Sequence, residues 1–206
     1  MAILYSDASS QAGASSTDAG LFSLDLISPE VAAVLPEGYK MRSLRKSDYD
    51  SGYLDCLRVL TTVGEFDRSA FEVRFDEFAQ SPGSYYILVV EDAEGRVVGT
   101  GALIVERKIG LHVQFADAKG GMTIAARLFY RIHSLASVGH IEDIAVAKDQ
   151  QGKKLGLRII QALDYISEKV GCYKSILDCS EKNEGFYDKC GFKRAGLQMA
   201  HYYDSK

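Results

Sequence analysis

The sequence predicts an α/β protein, in which helices pack on one mixed sheet. Runs of alternating, β-branched or aromatic residues predict strands at 39–44, 85–92, 97–108, 139–146, 172–180 and 195–203. The turn AEGR directly joins the second and third of these strands, which predicts a hairpin. Segments with helical spacing separate most of the others, so the sheet should be covered by helices.

Four helices follow from the same spacing rule. Residues 46–60, with a Ser47 or Asp48 cap, and residues 68–80, followed by Pro82-Gly83, predict two helices after the first strand. Residues 153–170 predict a long amphipathic helix and residues 183–190 a short one. The expected element order is therefore β-α-α-β-β-β-α-β-α-β.

The overall composition excludes several classes of protein. The 206 residues suffice for one domain with its own core. A net charge of −4 argues against a protein that coats nucleic acid or an acidic membrane. No apolar run reaches the roughly 18 residues of a membrane span. Residues 1–22 lack the basic start of a secretory signal and predict a disordered leader before a single domain at 23–206.

The cysteines predict neither disulfides nor a metal site. Cys56, Cys172, Cys179 and Cys190 form no CxxC pair, and no histidine lies at zinc-finger spacing. Reduced thiols in a cytoplasmic protein without a metal are the expectation.

A glycine-containing basic turn, DQQGKKLGLR at 149–158, lies between a predicted strand and the long predicted helix. The first turn of a helix has unpaired N–H groups and partial positive charge. Gly152 and Gly156 would let this backbone approach a ligand, and Lys153 and Lys154 add charge. The turn therefore predicts a phosphate or pyrophosphate site, although an ordinary turn with solvated lysines fits these ten residues as well.

Residues 151–156, QGKKLG, resemble the Q/R-x-x-G-x-G/A signature of GCN5-related N-acetyltransferases, with Lys154 in place of the first glycine. The surrounding segments GHIEDIAV, CYKSILDCSEKNEGFYDKCGF and GYKMRSLRKSDY resemble one family of these enzymes, the glucosamine 6-phosphate N-acetyltransferases. The resemblance extends from about Leu35 to Gly196, except for 109–131. It implies the family's acyltransferase fold, a mostly antiparallel twisted sheet flanked by helices.

The resemblance also implies a reaction. Family members transfer the acetyl group of acetyl-CoA directly to the amine of glucosamine 6-phosphate, without a metal, on the route to UDP-N-acetylglucosamine. A homodimer that shares the sugar site is implied as well. Two other interpretations stay open: an acetyltransferase for a peptide or another small amine, and a non-catalytic module that binds coenzyme A.

The resemblance assigns coenzyme contacts to two neighbouring segments and one helix. The strand backbone of Ile144, Ala145 and Val146 would hold the pantetheine arm. The pyrophosphate would be held by Gln151, Gly152, Lys153, Lys154, Leu155, Gly156 and Leu157. Asn183, Tyr187 and Lys189 are the remaining predicted coenzyme contacts.

Four residues are candidates for catalysis. Glu142 and Asp143 are adjacent carboxylates in an apolar strand, so alternation sends them to opposite faces, and burial of either is costly unless it is paired. The family match places both, together with Asp178, near the sugar and its amine. It places the Tyr187 hydroxyl beside the coenzyme sulfur, where it would donate to the leaving thiolate.

The remaining predicted sugar-phosphate contacts are Thr61, Lys108, His133, Tyr173 and Lys174. Residues 109–131 have no counterpart in the family pattern and separate Lys108 from His133, which are near neighbours in relatives. This segment predicts either a loop that leaves and rejoins the sheet or a mistranslated non-coding stretch.

Overall fold

The computed structural model describes residues 18–60, 64, 66–108 and 137–203. Its sheet has five strands in the order β1 to β5. Their bounds are Lys40–Ser43, Tyr85–Glu91, Val97–Glu106, Ser137–Val146 and Cys172–Ile176. The first four strands are antiparallel neighbours, and β5 runs parallel to β4. The predicted mixed sheet flanked by helices is confirmed. Thr61, His133 and the segment 109–131 lie outside the described residues.

Five α-helices accompany the sheet in this part of the chain. They are α1 Pro29–Ala33, α2 Tyr53–Leu57, α3 Arg68–Ala79, α4 Leu155–Lys169 and α5 Glu181–Lys189. The sequence interpretation did not include α1. The sequence signal for this helix is short, a serine followed by a proline. In the structure the Ser28 side chain accepts a hydrogen bond from the Val31 N–H, and Pro29 occupies the first helical position.

The two faces of the sheet bury different helices. On one face, α4 packs Ile159, Leu163 and Ile166 against sheet residues that include Leu103 and Ile141. On the other face, α2 and α3 bury Cys56, Phe71 and Phe75 among a second set of sheet residues. The amphipathic spacing of residues 153–170 therefore predicted α4 correctly, because a helix on a sheet needs one continuous apolar stripe.

The helix predicted for residues 46–60 is wrong in its continuity. Residues Lys46–Tyr49 form a 3-10 turn, and α2 begins only at Tyr53. Gly52 separates the two pieces with a left-handed backbone, φ 91°. Asp48 is fully buried because both of its carboxylate oxygens bind the guanidinium of Arg42, at 2.8 Å each, which fixes the turn against β1.

The strand predicted at 195–203 is also wrong for the described chain, in which residues 192–203 have no assigned secondary structure. A strand exists only when its backbone pairs with a neighbour, and this segment has no such neighbour among the described residues. Leu197 and Met199 are 93% and 94% exposed. The fifth strand is shorter than predicted as well, and ends at Ile176.

Residues 18–22, which fall within the predicted leader, contact the sheet. The Leu21 N–H donates to the carbonyl of Leu44, and the Phe22 N–H donates to the Ser43 hydroxyl. Asp18 accepts hydrogen bonds from the backbone and side chain of Ser47. Residues 18–22 therefore already contact the end of β1 and the turn that follows it.

Candidate active site

A β-bulge distorts β4 at the predicted catalytic pair. Thr100 of β3 pairs with Ala145 and Ala102 pairs with Glu142, so two residues of β4 lie opposite the single residue Gly101. Asp143 has a left-handed backbone there, φ 54°. The bulge breaks the side-chain alternation on which the sequence interpretation placed Glu142 and Asp143 on opposite faces.

Glycine is required opposite the bulge. A Cβ at position 101 would lie 2.5 Å from the Ile144 Cδ1 atom and 2.7 Å from Ile159 Cγ2. On the face of the sheet that α2 covers, the buried Cys56 thiol lies 3.8 Å from the Ala145 carbonyl oxygen. Burial raises the pKa of this thiol to about 11, so it stays protonated and can donate that weak hydrogen bond. The core on both sides thus supports the displaced backbone.

Just before the bulge, β4 and β5 separate. Their pairing ends at His140 with Ile176, while β4 continues through Val146. Within the described residues, the edge of β4 over 141–146 has no strand on the β5 side. Such an edge can pair with an extended, amide-containing ligand as it would with an added strand. This is the position of Ile144, Ala145 and Val146, the predicted pantetheine contacts.

The predicted pyrophosphate turn follows β4 directly. A 3-10 turn over Lys148–Gln150 leads to Gly152, φ 85°, and to Lys154, φ 63°, after which α4 begins at Leu155. The side chain of Lys154 makes no capping hydrogen bond to α4. The first N–H groups of the helix therefore stay available to an anion.

The two glycines of this turn, Gly152 and Gly156, are present for different structural reasons. A side chain at Gly152 would be strained by its positive φ, although open space surrounds it. Gly156 has no positive φ, and a Cβ there would be in ordinary contact with the Phe186 ring at 3.5 Å. Gln151, Lys153 and Lys154 are exposed, while Leu155 is buried beneath the turn.

Glu142 is the electrostatic centre of the candidate site. Partial burial raises its pKa above the ordinary value, and the negative charges of Asp143 and Asp178 raise it further, while His140 opposes them. The structure thus brings Glu142, Asp143 and Asp178 within electrostatic reach of one another. A carboxylate with a raised pKa is a better proton acceptor than an ordinary one.

Tyr187 lies half-buried on α5, next to the same group. Its ring contacts Phe186 and Phe192 edge to face, with centroids 5.1 and 6.4 Å away. Burial raises the pKa of its hydroxyl, and the nearby Cys179, Cys190 and Glu142 contribute in the same direction. The hydroxyl therefore keeps its proton at neutral pH and is available as a donor.

A cleft of about 470 Å³ brings several predicted residues together. Its walls include Lys174, Asp178 and Tyr187, with Cys179 between them in the chain. Residues 195–198 form part of the wall, and Gln198 donates a hydrogen bond of 2.7 Å to Asp178. Glu142 and Asp143 do not line this cleft, and lie on β4 beside it.

The other predicted residues occupy the surroundings. Asn183 and Lys189 are exposed on α5, where the Asn183 N–H donates to the Ser180 carbonyl. Lys174 lies over the ring of Tyr173, 5.4 Å from its centroid. The Lys108 ammonium lies 3.1 Å from the Oε2 atom of Glu106, and the His140 Nε2 atom lies 3.0 Å from the same oxygen.

The pair Glu106 and His140 was not predicted from the sequence. His140 precedes Glu142 by two residues. The strand register and side-chain alternation place it on the face of the sheet opposite α4, together with Lys174 of β5. One observable signal was the alternation of His140 and Glu142 in an otherwise apolar strand. The partner on β3 could be found only from the strand register.

Among the described residues, no group of three or more histidines, cysteines or carboxylates is arranged to hold a metal ion. In the same part of the chain, no helix has both the length and the apolar character needed to cross a membrane.

The fold and this site define a class. Residues 41–192 match the model of the acetyltransferase (GNAT) family, and the chain belongs to that family. Within it, the chain belongs to the glucosamine 6-phosphate N-acetyltransferases. It is 42% identical to the enzyme of that name from Candida albicans, over 81% of this chain and 97% of the relative. It is 36% identical to glucosamine 6-phosphate N-acetyltransferase 1 of Dictyostelium discoideum, over 84% and 96%.

A solved structure agrees with the sequence relatives. The crystal structure of glucosamine-6-phosphate N-acetyltransferase from Arabidopsis thaliana superposes with a TM-score of 0.67. The two chains are 31% identical, and the match covers 81% of this chain and 99% of the other. The family resemblance of the sequence and the predicted fold are confirmed by these comparisons.

Proposed function

We propose that the protein transfers the acetyl group of acetyl-CoA directly to the 2-amino group of glucosamine 6-phosphate. The products are N-acetylglucosamine 6-phosphate and coenzyme A, and the first of these leads to UDP-N-acetylglucosamine. The observation that carries the proposal is the position of Glu142, at a bulge beside the unpaired edge of β4 and within reach of Asp178 and Tyr187.

The coenzyme would use two features of the backbone. The edge of β4 at Ile144–Val146 would pair with the amides of the pantetheine arm. The turn from Gln151 to Leu157 would hold the diphosphate on the unpaired N–H groups of α4, with Lys154 adding positive charge. These features are continuous in the chain, so one ligand can contact both.

The transfer needs a proton acceptor and a proton donor. The ammonium form of the sugar must lose a proton before nitrogen attacks the thioester carbon, and Glu142 has the raised pKa suited to accept it, directly or through water. When the carbon–sulfur bond breaks, the Tyr187 hydroxyl donates its proton to the thiolate, and the proton that the acylated nitrogen must lose restores the phenol. Asp143 and Asp178 would hold the sugar by accepting hydrogen bonds from its hydroxyl groups.

The sugar phosphate would bind at the rim where Lys108, Tyr173 and Lys174 lie, together with the predicted contacts Thr61 and His133. Cations and hydroxyl donors suit a phosphate, which forms short charge-assisted hydrogen bonds with both.

The proposal is tested by following thiol release from acetyl-CoA with glucosamine 6-phosphate, with unphosphorylated glucosamine and with a peptide amine. We expect much higher kcat/KM for the phosphorylated sugar, and Lys174→Met should remove part of that preference. Lys40→Met is the control, because Lys40 lies on β1 at the opposite edge of the sheet. Equal kcat/KM for the two sugars would overturn the substrate assignment. Coenzyme binding without transfer to any amine would favour the non-catalytic alternative.

A homodimer is part of the proposal. The segment 195–203 carries large apolar side chains that are almost fully exposed in one chain, including Leu197, Met199 and Tyr202. A second copy would bury them, and because the same segment lines the cleft at Asp178, the partner would act on the site. We expect the double substitution Leu197→Asp and Met199→Asp to yield monomers with lower activity in sedimentation and kinetic assays. A fully active monomer would contradict the shared site.

We also infer a cytoplasmic location, because all four cysteines are free thiols. Fractionation of cells that express the tagged chain tests this, and an enrichment in organelles or medium would contradict it.

A further inference from the structure

A hydrogen-bonded group joins Lys153 of the pyrophosphate turn to Tyr39 and Gln150, two residues to which the proposed reaction gives no role. The Tyr39 hydroxyl donates to the side-chain oxygen of Gln150 at 2.6 Å. The ammonium of Lys153 donates to that same oxygen at 2.6 Å and to the Tyr39 oxygen at 2.7 Å. The same ammonium lies over the tyrosine ring, 5.1 Å from its centroid. Tyr39 precedes β1 and is more than 100 positions away in the chain.

The other end of the group is tied to the β2–β3 turn. The amide nitrogen of Gln150 donates to Asp149 at 3.0 Å, and Asp149 also accepts from Arg96 at 2.7 Å. Arg96 in turn binds the buried carboxylate of Asp92. The turn that precedes α4 is therefore fixed from two sides by parts of the chain that precede the site.

Gln150 is the centre of this group. It is only 8% exposed. Its side-chain oxygen accepts two hydrogen bonds, and its side-chain nitrogen donates one. A buried amide with partners at both ends has one stable orientation, because any rotation leaves polar atoms unpaired. Its orientation sets the position of the Lys153 ammonium.

The donors of Lys153 can be counted. An ammonium has three N–H groups, and two are used by Tyr39 and Gln150. The third remains for an anion. The Lys154 side chain, by contrast, has no hydrogen bond or ion pair within the part of the chain that the structure describes, so its ammonium is not fixed in advance. The two lysines of the turn are thus unequal.

We propose that Tyr39 and Gln150 are positioning residues that hold Lys153 as a fixed cation for the coenzyme diphosphate. This inference rests on the proposed use of acetyl-CoA. A lysine side chain that is ordered before binding loses less conformational freedom when the ligand arrives. Removal of its support should therefore weaken coenzyme binding and leave the acetyl-transfer step unchanged.

The first test is Tyr39→Phe, which keeps the ring and its contact with the ammonium but removes the hydroxyl. We expect the Kd of coenzyme A and the KM of acetyl-CoA to rise about three- to tenfold, as loss of one preordered side chain predicts. The kcat and the KM for glucosamine 6-phosphate should not change. Tyr165→Phe is the matched control, since Tyr165 is also a half-buried tyrosine under a lysine, Lys169, but lies away from the turn on α4.

The second test separates positioning from general damage to the fold. S-acetylpantetheine lacks the diphosphate, so transfer from it should have the same KM in the wild type and in Tyr39→Phe. In a Lys153→Met background, Tyr39→Phe should produce no further loss of coenzyme A affinity, because the group that it positions is gone.

The outcomes distinguish this inference from the proposed function. Coenzyme A affinity is measured by calorimetry without sugar, so it does not depend on which amine is acetylated. An unchanged Kd in Tyr39→Phe, or equal losses with acetyl-CoA and S-acetylpantetheine, would overturn the positioning role while the reaction could stand. A weakened Kd in a protein that fails to acetylate glucosamine 6-phosphate would support the positioning role and overturn only the substrate.

Discussion

Two residues other than glycine, Asp143 and Lys154, have a left-handed backbone within the described parts of the chain. This conformation brings Cβ close to the following carbonyl and costs about 1–2 kcal/mol for most residues. Both flank the proposed coenzyme path, one at the bulge and one at the helix start. Strain that persists at such positions is a reason to look for function in the side chain.

Lys154→Gly should stabilise the fold and weaken the coenzyme complex. Glycine adopts this backbone freely, which offsets its greater freedom in the unfolded chain, so we expect a gain of up to about 1 kcal/mol in the free energy of unfolding. Loss of the ammonium should raise the Kd of coenzyme A. Lys154→Ala removes the charge and retains the Cβ, so it should raise the Kd equally without the gain in stability. Equal stability of the two variants by urea denaturation would contradict the strain argument.

Tyr187→Phe should lower kcat with little change in acetyl-CoA affinity. The hydroxyl stabilises charge that develops only as the thiolate leaves, and one positioned donor can contribute roughly a 100-fold rate effect or more. Tyr165→Phe on α4 is again the control. An unchanged kcat, measured when the chemical step limits turnover, would remove Tyr187 from the mechanism.

At the scale of elements, β4 performs two tasks in ten residues. Its first residues, through His140, pair with both β3 and β5. Its remaining residues, 141–146, carry Glu142 and expose a backbone edge on the β5 side. The bulge at Asp143 lies within this edge, directly after the carboxylate of Glu142. One strand therefore places the proton acceptor beside the proposed acyl donor.

Glu142→Gln should make the protein more stable at neutral pH and less active. A carboxyl whose pKa is raised in the folded state contributes stability below its unfolded pKa, and this contribution is lost as pH rises through the folded pKa. The melting temperature of the variant should therefore exceed that of the wild type at pH 7, and the gap should close in acid. The kcat/KM of the wild type should fall as pH drops through the raised pKa of Glu142.

Glu106→Gln is the control, because its effect on the melting temperature should have the opposite sign. His140 and Lys108 lower the pKa of Glu106, so its contribution is present above the unfolded pKa and lost as pH falls through the folded one. This variant should melt slightly below the wild type at pH 7. If both variants shift in the same direction, the electrostatic assignment of Glu142 is wrong.

At the scale of the whole molecule, deletion of residues 109–131 should preserve the fold. Glu106 pairs with Val138, so the ends of β3 and β4 are neighbours across the sheet. Deletion leaves residues 107–108 and 132–136 for the connection, which exceeds the two to five residues of most hairpin loops. We expect an equal or higher melting temperature and an equal or lower KM for the sugar phosphate. An insoluble variant, or one that melts many degrees lower, would show that this segment belongs to the core.

The local patterns predicted most elements correctly for a physical reason. The apolar stripe of α4 reflects burial of one helix face, and the nearly continuous apolar runs of β2 and β3 reflect strands that are buried on both faces of the sheet. The failures have equally specific causes. The break at Gly52 follows a turn that is held against β1 by the hydrogen bonds between Asp48 and Arg42. The predicted final strand would need a backbone partner, which the sequence alone does not identify.

The sequence by itself determined the fold class, the family and the strand–turn–helix that offers N–H groups at Gly152 and Leu155, since these depend on local period and motif. Only the tertiary structure decided the bulge that displaces Asp143, the link from Tyr39 to Lys153, and the pairing of His140 with Glu106. Each of these depends on strand register or on contacts between residues far apart in the chain. A local pattern carries no information about either, because register and long-range contacts are set when the separate apolar faces pack together.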